Sequence, residues 1–577
     1  MNNLNSNHIR IAQINPILGD IEFNTKKIAE SIKYSELNNV DLLIFPEYAL
    51  FGSSSTDLIT HYPIIKLNIE HCLDGLAKLT DKTTVLVGYI DISDKFESAI
   101  AVLKNGKIDY RLKKSSNKLN IINVKNENYG IIIGDSDINN INITNNLFKK
   151  NIDAFINCIS SVSAINKLNK RKNILKKLAL NYNLPVIQVN QSGAIDDYSF
   201  DGNSLAYNSK GELVLQAKSF EEDFITLNFS KNKEIVCYDN DFINEKFDLN
   251  YEPDLERTYK LIIQGIKDYF NKCGLKKAVL GLSGGLDSSV CAVLLTDALG
   301  KNNVYGISLP TELTSEESKS DAKELALNLG INFYETPIMP VINSINKEFV
   351  SLFNNIEKNW NERYVKSFTQ DNIQARTRAL YLWCISNEFK SCIPIATSDK
   401  SELYMGYATI NGDMSGGFAP IADITKTKLF ALAKWLNKNR VQKNSIPESV
   451  ILKKPGAELA IDPNTGKTLN AEDALMPYEF LDEIIWQIEN RNATFNELLN
   501  LDFAYETKNK ISKEQKTEWL NKFYSRESRA LYKWSILPPS IITDEKTINK
   551  NIYKQPVTSG NVYYKEYEAE YINDILK

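Results

Sequence analysis

Histidine, cysteine and methionine are scarce in this chain of 577 residues, which contains 3 His, 7 Cys and 5 Met. The cysteines are widely spaced with no close CxxC pair, which excludes a disulfide framework or a zinc site and favours a reducing compartment. The histidines His8, His61 and His71 all lie near the start. The rest of the chain therefore has no histidine-dependent acid–base chemistry.

Long apolar runs and a strong net charge are also missing. No segment reaches membrane-spanning length, and the polar start MNNLNSNHIRIAQINPIL lacks the apolar core of a secretory signal, so we expect a cytoplasmic protein without a membrane partner. A formal net charge of -4 argues against a nucleic-acid partner. The chain is 43% hydrophobic and 24% charged, which is typical of a globular protein, and its length predicts two domains.

Short apolar segments alternate with helix-like stretches in the first part of the chain, and predict an α/β layered domain over residues 1–240. The predicted strands are HIRIAQI, DLLIFP, TTVLVGYI, YGIIIG, DAFINCIS and LPVIQVN. A helix is expected in NTKKIAESIKYSELNNV, with Asn24 or Thr25 as its N-cap residue. SLAYNSKGELVLQA predicts a hairpin around residues 208–211, and the asparagine-rich INNINITNN is interpreted as a solvated loop.

The polar segment 238–256, which contains Pro253, predicts the junction to a second domain over residues 255–577. After it, KKAVLGLSGGLDSSVCAVLLTDALG, NVYGISLP and CIPIATSD again alternate strand and helix signals. We therefore expect a second α/β domain with a parallel sheet.

The stretch GLSGGLDSS, residues 281–289, joins the predicted strand AVLGL to the predicted helix SSVCAVLLTDAL. Amide groups at a helix start attract anionic oxygens, and neighbouring glycines let the main chain approach them, so phosphate is the expected ligand. A Walker loop would need GxxxxGK[ST] and a dinucleotide fingerprint GxGxxG, and both are absent here. The loop offers serine hydroxyls and Asp287, a hard oxygen ligand suited to Mg²⁺. A glycine-rich turn without a ligand is the alternative.

SGGLDS matches the pyrophosphate-binding motif of the ATP pyrophosphatases. DNIQARTRALYLWCISNEF, ATSDKSELYMGYATINGDMSGGFAPIADITKTKLFALAKWLN and IPESVILKKPGAEL follow in the order found in the synthetase domain of NAD synthetases. PEYALFG and the early strand pattern resemble the nitrilase-like glutaminase domain of the two-domain, glutamine-dependent NAD synthetases. The resemblance implies an N-terminal nitrilase-like α-β-β-α sandwich and a C-terminal Rossmann-like adenine nucleotide alpha hydrolase domain.

In that family, ATP adenylylates the nicotinate carboxylate of deamido-NAD, and ammonia then displaces AMP. The resemblance implies ATP and Mg²⁺ as substrate and metal, with Asp287 and Glu402 as catalytic and metal-binding residues. The residues implied in ATP binding are Gly281, Leu282, Ser283, Gly284, Gly285, Leu286, Asp287, Ser288, Thr397 and Lys426. Those implied in deamido-NAD binding are Asn372, Arg376, Glu402 and Lys533. Gly456 departs from the family pattern, which usually has a hydroxyl residue there.

Several of these residues have a purely structural alternative. Lys426 and Lys428 could form a solvated helix face. Ser398 or Asp399, followed by Glu402, resembles a capping box. Arg376 could bind a phosphate or pair with a carboxylate, and substrate binding is slightly favoured.

The resemblance also implies a glutamate base, a lysine and a cysteine nucleophile in the N-terminal domain. Glu47 matches the glutamate, and Lys113 or Lys114 the lysine. In NYGIIIGDSD, however, Gly134 stands where the family has its cysteine. Cys158 lies on the next strand and is interpreted as a small buried hydrophobic residue, and Cys72 and Cys237 lie outside the expected turn. We therefore expect this glutaminase site to be degenerate and catalytically inactive.

The predicted function is ammonia-dependent NAD synthesis, a ligase reaction that forms a C–N bond, and the resemblance implies a homo-oligomer. One alternative is a glutamine-dependent NAD synthetase, with nitrogen supplied by this chain or by a partner glutaminase. An amidating ligase of the GMP-synthetase or asparagine-synthetase kind is disfavoured by YATINGDMSGGFAP. An alternative of another class is a non-catalytic, nucleotide-binding regulatory protein.

Overall fold

The computed structural model describes residues 6–53, 56–62, 64–93, 95–114, 119–164, 166–230, 234–237, 255–356, 367–454, 456–461, 468–544 and 547–548. The chain divides into two compact units, Met1–Glu252 and Pro253–Lys577. Most of the predicted junction, residues 238–254, lies outside the described residues. Within the described residues no helix is long and apolar enough to cross a bilayer.

The first unit contains two mixed β-sheets, one with strand order β15-β14-β1-β2-β3-β4-β5 and one with order β13-β12-β9-β8-β7-β6. Their strands are β1 Ser6–Gln13, β2 Leu42–Ile44, β3 Thr84–Asp91, β4 Glu97–Lys104, β5 Lys107–Lys113, β6 Ile121–Val124, β7 Glu127–Ile133, β8 Ala154–Cys158, β9 Val186–Val189, β12 Leu205–Tyr207, β13 Leu213–Gln216, β14 Asp223–Ser230 and β15 Ile235–Cys237. β10 Ser192–Ile195 and β11 Tyr198–Asp201 form a separate antiparallel pair.

The helices of this unit cover the outer faces of the two sheets. They are α1 Ile21–Leu37, α2 Thr56–His61, α3 Ile64–Ala77, α4 Ile141–Phe148 and α5 Lys167–Tyr182. Alternate residues of a strand face opposite sides. Thus Leu42 and Ile44 pack between the sheets, whereas Leu43 packs toward α1 and α3. Helices α4 and α5 cover the other sheet through Leu147 and Leu175. This is the expected α-β-β-α sandwich.

The six strands predicted in this unit are confirmed, as is the hairpin, whose strands β12 and β13 pair antiparallel. Helix α1 begins earlier than predicted, because Asp20 caps it by accepting from the amide of Phe23 at 3.0 Å. Asn24 instead ties the helix to a loop, donating to the carbonyls of Ile17 and Leu50. The solvated-loop prediction for INNINITNN is wrong: Asn140 caps helix α4 there.

The second unit is built on a parallel sheet of order β18-β17-β16-β19, as the sequence predicts. Its strands are β16 Lys277–Gly281, β17 Val304–Ser308, β18 Asn332–Glu335 and β19 Cys392–Pro394, and β20 Gly456–Ile461 pairs separately with β21 Thr468–Asn470. Its helices are α6 Leu255–Lys272, α7 Leu286–Leu299, α8 Glu316–Leu329, α9 Met339–Ile356, α10 Ser367–Glu388, α11 Lys400–Tyr404, α12 Lys426–Asn439, α13 Glu448–Leu452, α14 Ala471–Ala474, α15 Tyr478–Arg491, α16 Phe495–Asn500, α17 Ala504–Asn509 and α18 Lys513–Trp534.

The strand order of the second unit indicates where a ligand would bind. From β16 the chain continues to β17 and β18 on one side, and it later returns to β19 on the other side. Such a reversal opens a crevice at the carboxyl ends of the central strands, where ligands bind in parallel sheets. The predicted loop after β16 and Thr397 after β19 both lie at this edge. A helical core behind it contains Phe480, Phe503 and Phe523, all fully buried.

Candidate active site

The loop after β16 turns the chain directly into helix α7. Gly285 is the N-cap residue of this 14-residue helix and provides no side chain to cap it. The amide groups of the first turn therefore point toward the crevice without competition from a capping side chain, which suits an anionic ligand.

Gly284 allows the loop to lie against helix α8. Its φ is +76°, and a Cβ atom built on it would be 2.1 Å from the carbonyl oxygen of Ser318. Any side chain here would force the loop or the helix to move, because the clash is with main chain.

The serines of the loop hold its shape. The Ser283 hydroxyl lies 3.1 Å from that of Ser288 and accepts from the amide of Gly285 at 3.1 Å. The Ser289 hydroxyl donates to the carbonyl of Gly285 at 2.7 Å. These short-range bonds fix the turn before any ligand binds, so a ligand meets a preorganised surface.

Three carboxylates meet at the start of α7. Asp287, Asp399 and Glu402 each offer an oxygen within 4.8 Å of the others. The Nζ atom of Lys426 lies 2.7 Å from Asp287, 2.7 Å from Asp399 and 2.9 Å from Glu402. The Lys426 side chain is 1% exposed. The solvated-face alternative for Lys426 is therefore wrong.

Burial and charge act together in this cluster. Burial raises the pKa of Asp399 and of Glu402, although the charge of Lys426 acts the other way. Burial alone would lower the pKa of Lys426, but the carboxylates outweigh it and raise the pKa. A cluster of three acids and one ammonium has a surplus of negative charge, and a cation or a proton would balance it.

Helix α11 brings two of these acids into place. Asp399 is its N-cap residue and accepts from the amide of Glu402 at 2.9 Å, as the capping pattern predicts. The Glu402 carboxylate bonds to Lys426. Asp399 thus has both a capping and an electrostatic role, and the second could not be read from the local pattern. Thr397 lies two residues before the cap and is partly buried.

The remaining predicted residues lie around the turn after α11. Asn372, on α10, accepts from the hydroxyl of Thr409 at 2.8 Å. Arg376 is exposed and donates to the carbonyl of Ile410 at 3.1 Å. Lys533, on α18, donates to the carbonyls of Gly406 and Ala408 at 2.8 and 2.6 Å. Asn372, Arg376 and Lys533 therefore all contact the segment 406–410, which follows Glu402 closely in the chain.

In the first unit, Glu47 and Gly134 lie together, and the lysine beside them is Lys114. A Cβ atom built on Gly134, whose φ is +85°, would be 2.7 Å from the Nζ atom of Lys114 and 3.3 Å from a carboxylate oxygen of Glu47. Glu47 is 4% exposed, and burial raises its pKa while the charge of Lys114 acts the other way.

Lys113, the first of the two lysines considered from the sequence, lies elsewhere. Its Nζ atom is 3.1 Å from Asp91 and 2.8 Å from the hydroxyl of Ser93. Adjacent residues at the end of strand β5 point in opposite directions, which separates Lys113 from Lys114. Of the two lysines considered from the sequence, Lys114 is therefore the one that lies beside Glu47, and Lys113 is not.

Cys158 is fully buried between the two sheets of the first unit. Burial raises the pKa of its thiol, and the charge of Glu47 adds to this effect. A thiol in such surroundings stays protonated, which makes it a poor nucleophile. All seven cysteines are free thiols.

A parallel-sheet crevice with a glycine-rich helix start and clustered acids is typical of enzymes that handle nucleoside triphosphates. The family model described as NAD synthase matches residues 258–523. The glutamine-dependent NAD(+) synthetase of Thermotoga maritima is 33% identical over 522 residues, covering 83% of this chain and 88% of the relative. That of Synechocystis is 31% identical over 547 residues, covering 89% and 94%.

Two solved structures resemble the fold of this chain over nearly its whole length. The structure of glutamine-dependent NAD+ synthetase from Acinetobacter baumannii in complex with ADP gives a TM-score of 0.71 at 26% identity, covering 97% of this chain and 100% of that one. The glutamine-dependent NAD(+) synthetase from Cytophaga hutchinsonii gives 0.78 at 21% identity, covering 99% and 100%, and shows the fold. The chain is therefore a ligase that forms a C–N bond. It belongs to the two-domain NAD synthetase family.

Proposed function

We propose that this chain makes NAD from deamido-NAD at the crevice of the second unit, through the residues predicted from the sequence. The carboxylate oxygen of deamido-NAD attacks the α-phosphorus of ATP and pyrophosphate leaves. Ammonia then attacks the acyl carbon and AMP leaves. The contact of Lys426 with Asp287, Asp399 and Glu402 beside the α7 loop is the observation that carries this proposal.

The loop at residues 281–288 would hold the phosphates of ATP, with Thr397 and Lys426 as further contacts. Its amides are positioned for anionic oxygens. Lys426 would supply positive charge where charge builds up on the leaving pyrophosphate. Asn372, Arg376 and Lys533 would bind deamido-NAD around the segment 406–410, with Glu402 between the two substrates.

Mg²⁺ fits the carboxylate cluster, since Asp287, Asp399 and Glu402 offer hard oxygen ligands close together. Asp287 and Glu402, the more accessible of the three, would hold the ion. When bound, Mg²⁺ supplies charge neutralisation for the phosphates. Asp399, with a side chain that is fully buried, would instead keep Lys426 and Glu402 in position.

The nitrogen donor has two candidates, each favoured by a different observation. The names of the Thermotoga maritima and Synechocystis relatives, which are glutamine-dependent NAD(+) synthetases, favour glutamine. The surroundings of Glu47 favour ammonia, because a glycine stands between this acid and Lys114. Glutamine hydrolysis through a covalent intermediate needs a nucleophile at that point, and glycine provides none. The proposal for this chain is ammonia, with glutamine as the second candidate.

The test is NAD formation by the purified chain with ATP, Mg²⁺ and deamido-NAD, using ammonium or glutamine as the sole nitrogen source. We expect turnover with ammonium and none with glutamine. Efficient use of glutamine by the chain alone would overturn the ammonia proposal. Use of glutamine only after addition of a cell extract would indicate a partner glutaminase. The absence of pyrophosphate release under every condition would favour a non-catalytic nucleotide-binding protein.

The substitution Asp287→Asn tests the assignment of the site. It keeps the shape of the side chain but removes one charge from the cluster, and we expect pyrophosphate release to fall roughly 100-fold or more. Asp297→Asn is the matched control, since it removes a carboxylate from the same helix that pairs with Arg440 instead. Full activity of Asp287→Asn would contradict the assignment of the site.

A further inference from the structure

Helix α12, which begins with Lys426, is capped from outside its own sequence. Its N-cap residue Thr425 makes no side-chain capping hydrogen bond. The amide of Lys426 instead donates to the hydroxyl of Ser401 at 2.9 Å, and the amide of Thr427 donates to the carboxylate of Asp482 at 2.7 Å. The first amides of a helix need such partners when they are buried.

Asp482 is the hub of this arrangement. One of its oxygens accepts from the hydroxyl of Ser401 at 2.5 Å, and the other accepts from the amide and the hydroxyl of Thr427 at 2.7 and 2.6 Å. Each of these three groups donates to Asp482, which is 7% exposed. An ionised carboxylate matches this set of donors, since it only accepts.

The hydroxyl oxygen of Ser401 links Asp482 to Lys426 through two hydrogen bonds. The Ser401 hydroxyl donates to Asp482 and accepts from the amide of Lys426. Ser401 itself lies on α11, between Asp399 and Glu402. Asp482 therefore joins the helix that carries two acids of the cluster to the first residue of the helix that carries its ammonium.

The same face of α15 contacts Lys426 a second time. Tyr478 lies one turn before Asp482, and its ring centroid is 5.4 Å from the Nζ atom of Lys426. The aromatic ring supports the ammonium while the carboxylate fixes the main chain at the base of the same side chain. Helix α15 thus positions both the backbone and the ammonium group of Lys426.

We propose that Asp482 is a positioning residue for NAD synthesis, which acts by holding the Lys426 ammonium against Asp287, Asp399 and Glu402. This inference rests on the role proposed above for Lys426. The hydrogen bonds of Asp482 reach Lys426 through Ser401 and the first backbone amides of α12, so Asp482 contributes to the rate through the lysine. Small displacements of a positioned group are costly, since a shift of about 1 Å can lower a rate roughly 100-fold.

The experiment measures steady-state kinetics of ammonium-dependent NAD formation for Asp482→Asn. We expect kcat to fall roughly 10- to 100-fold while KM for ATP changes little, because the phosphate loop is untouched. Glu506→Gln is the matched control: its carboxylate also accepts from a buried donor, Lys516 at 2.8 Å, in the same unit but between α17 and α18. An equal loss of kcat in Glu506→Gln would overturn the positioning role.

The decisive comparison measures Asp482→Asn in a chain that already carries Lys426→Ala. If Asp482 acts through Lys426, then Asp482→Asn has no further effect on kcat when Lys426 is already alanine, whereas independent effects would multiply. Multiplying effects overturn the inference. Full activity of Lys426→Ala would instead overturn the role proposed for Lys426, which keeps the two failures distinct.

Thr427 gives a milder pair of variants should Asp482→Asn fail to fold. Thr427→Val keeps the shape and removes the hydroxyl that donates to Asp482, while Thr427→Ser keeps the hydroxyl. We expect Thr427→Val to lower kcat and Thr427→Ser to retain it. Equal kcat values for the two variants would overturn the inference.

Discussion

At the scale of single residues, Gly134 illustrates how one position can decide what a site does. Its φ of +85° lies in the left-handed region, and an added Cβ atom would meet the ammonium of Lys114 at 2.7 Å. Glycine adopts this conformation without strain, whereas other residues pay a conformational cost.

We expect Gly134→Ala to lower the free energy of unfolding by about 1–2 kcal/mol, through its backbone conformation and the contact with Lys114. Gly75→Ala is the control, because Gly75 lies exposed in helix α3 with nothing within 4 Å of an added Cβ atom. That change should stabilise by about 0.5–1 kcal/mol. Urea unfolding followed by circular dichroism measures both. A stable Gly134→Ala variant would show that the turn relaxes easily.

Asp91 provides a residue-scale prediction that depends on pH. Burial alone would raise the pKa of Asp91, but hydrogen bonds from Ser93 and Lys113 outweigh it and lower the pKa to about 2. A carboxyl with a lowered pKa stabilises the folded state above its unfolded pKa, near 3.8, and loses this effect as the pH falls toward 2.

Lys113→Met should therefore destabilise the protein at pH 7, where the Asp91 carboxylate is charged, and the difference from the unmodified chain should shrink as the pH falls from about 4 to 2. Thermal unfolding over this pH range measures the difference. Lys114→Met is the comparison, since Lys114 lies beside Glu47 instead. A constant difference for Lys113→Met across the pH range would contradict the assigned pairing.

At the scale of elements, the loop between β16 and α7 depends on its contact with helix α8. Gly284→Ala would place a methyl group 2.1 Å from the Ser318 carbonyl oxygen, so the loop must move. We expect ATP-dependent pyrophosphate release to fall roughly 100-fold.

Gly274→Ala is matched to this variant in backbone conformation. Its φ of +69° is similar, but nothing lies within 4 Å of an added Cβ atom. It should lose about 1 kcal/mol of stability and keep its activity. Equal activity losses in the two variants would mean that strain, and not the contact with α8, accounts for the effect.

Element prediction from the sequence succeeded where strong local signals exist. Buried parallel strands such as β8 and β16 are short, mostly apolar segments, and β12 and β13 flank a clear turn. Strands β5 and β14 were missed, since partly exposed antiparallel strands carry weaker signals. Helix α4 was missed because its asparagines suggest a loop, although Asn140 is a good cap.

The candidate site was predictable only in part, for a physical reason. Local motifs indicate the phosphate loop and the α11 cap. The pairing of Lys426 with Asp287 joins residues 139 positions apart, and that of Asp482 with Thr427 joins residues 55 positions apart. No spacing rule encodes such contacts, since they arise from tertiary packing. The choice of Lys114 over Lys113 likewise depends on which way a strand end faces.

At the scale of the whole molecule, the two units differ in how complete their candidate sites are. The second has a full set of charged and loop residues, whereas the first has an acid and a lysine around a glycine. We therefore expect Glu47→Gln to leave ammonium-supported NAD formation unchanged. If the chain uses glutamine, the same variant should abolish glutamine-supported turnover, and a paired assay with the two nitrogen sources distinguishes these results. A loss of ammonium-supported activity in Glu47→Gln would contradict the separate roles of the units.

Lys400 and Lys426 are both sealed from solvent, with side chains that are 1% exposed. Lysine amines that lie on the surface are open to acylating reagents, whereas these two should be among the last to react. Mass spectrometry after brief acetylation would show them unmodified. The labelling rate of Lys426, which pairs with Asp287 at the start of α7, would then report the opening of the crevice without a substrate or a probe dye.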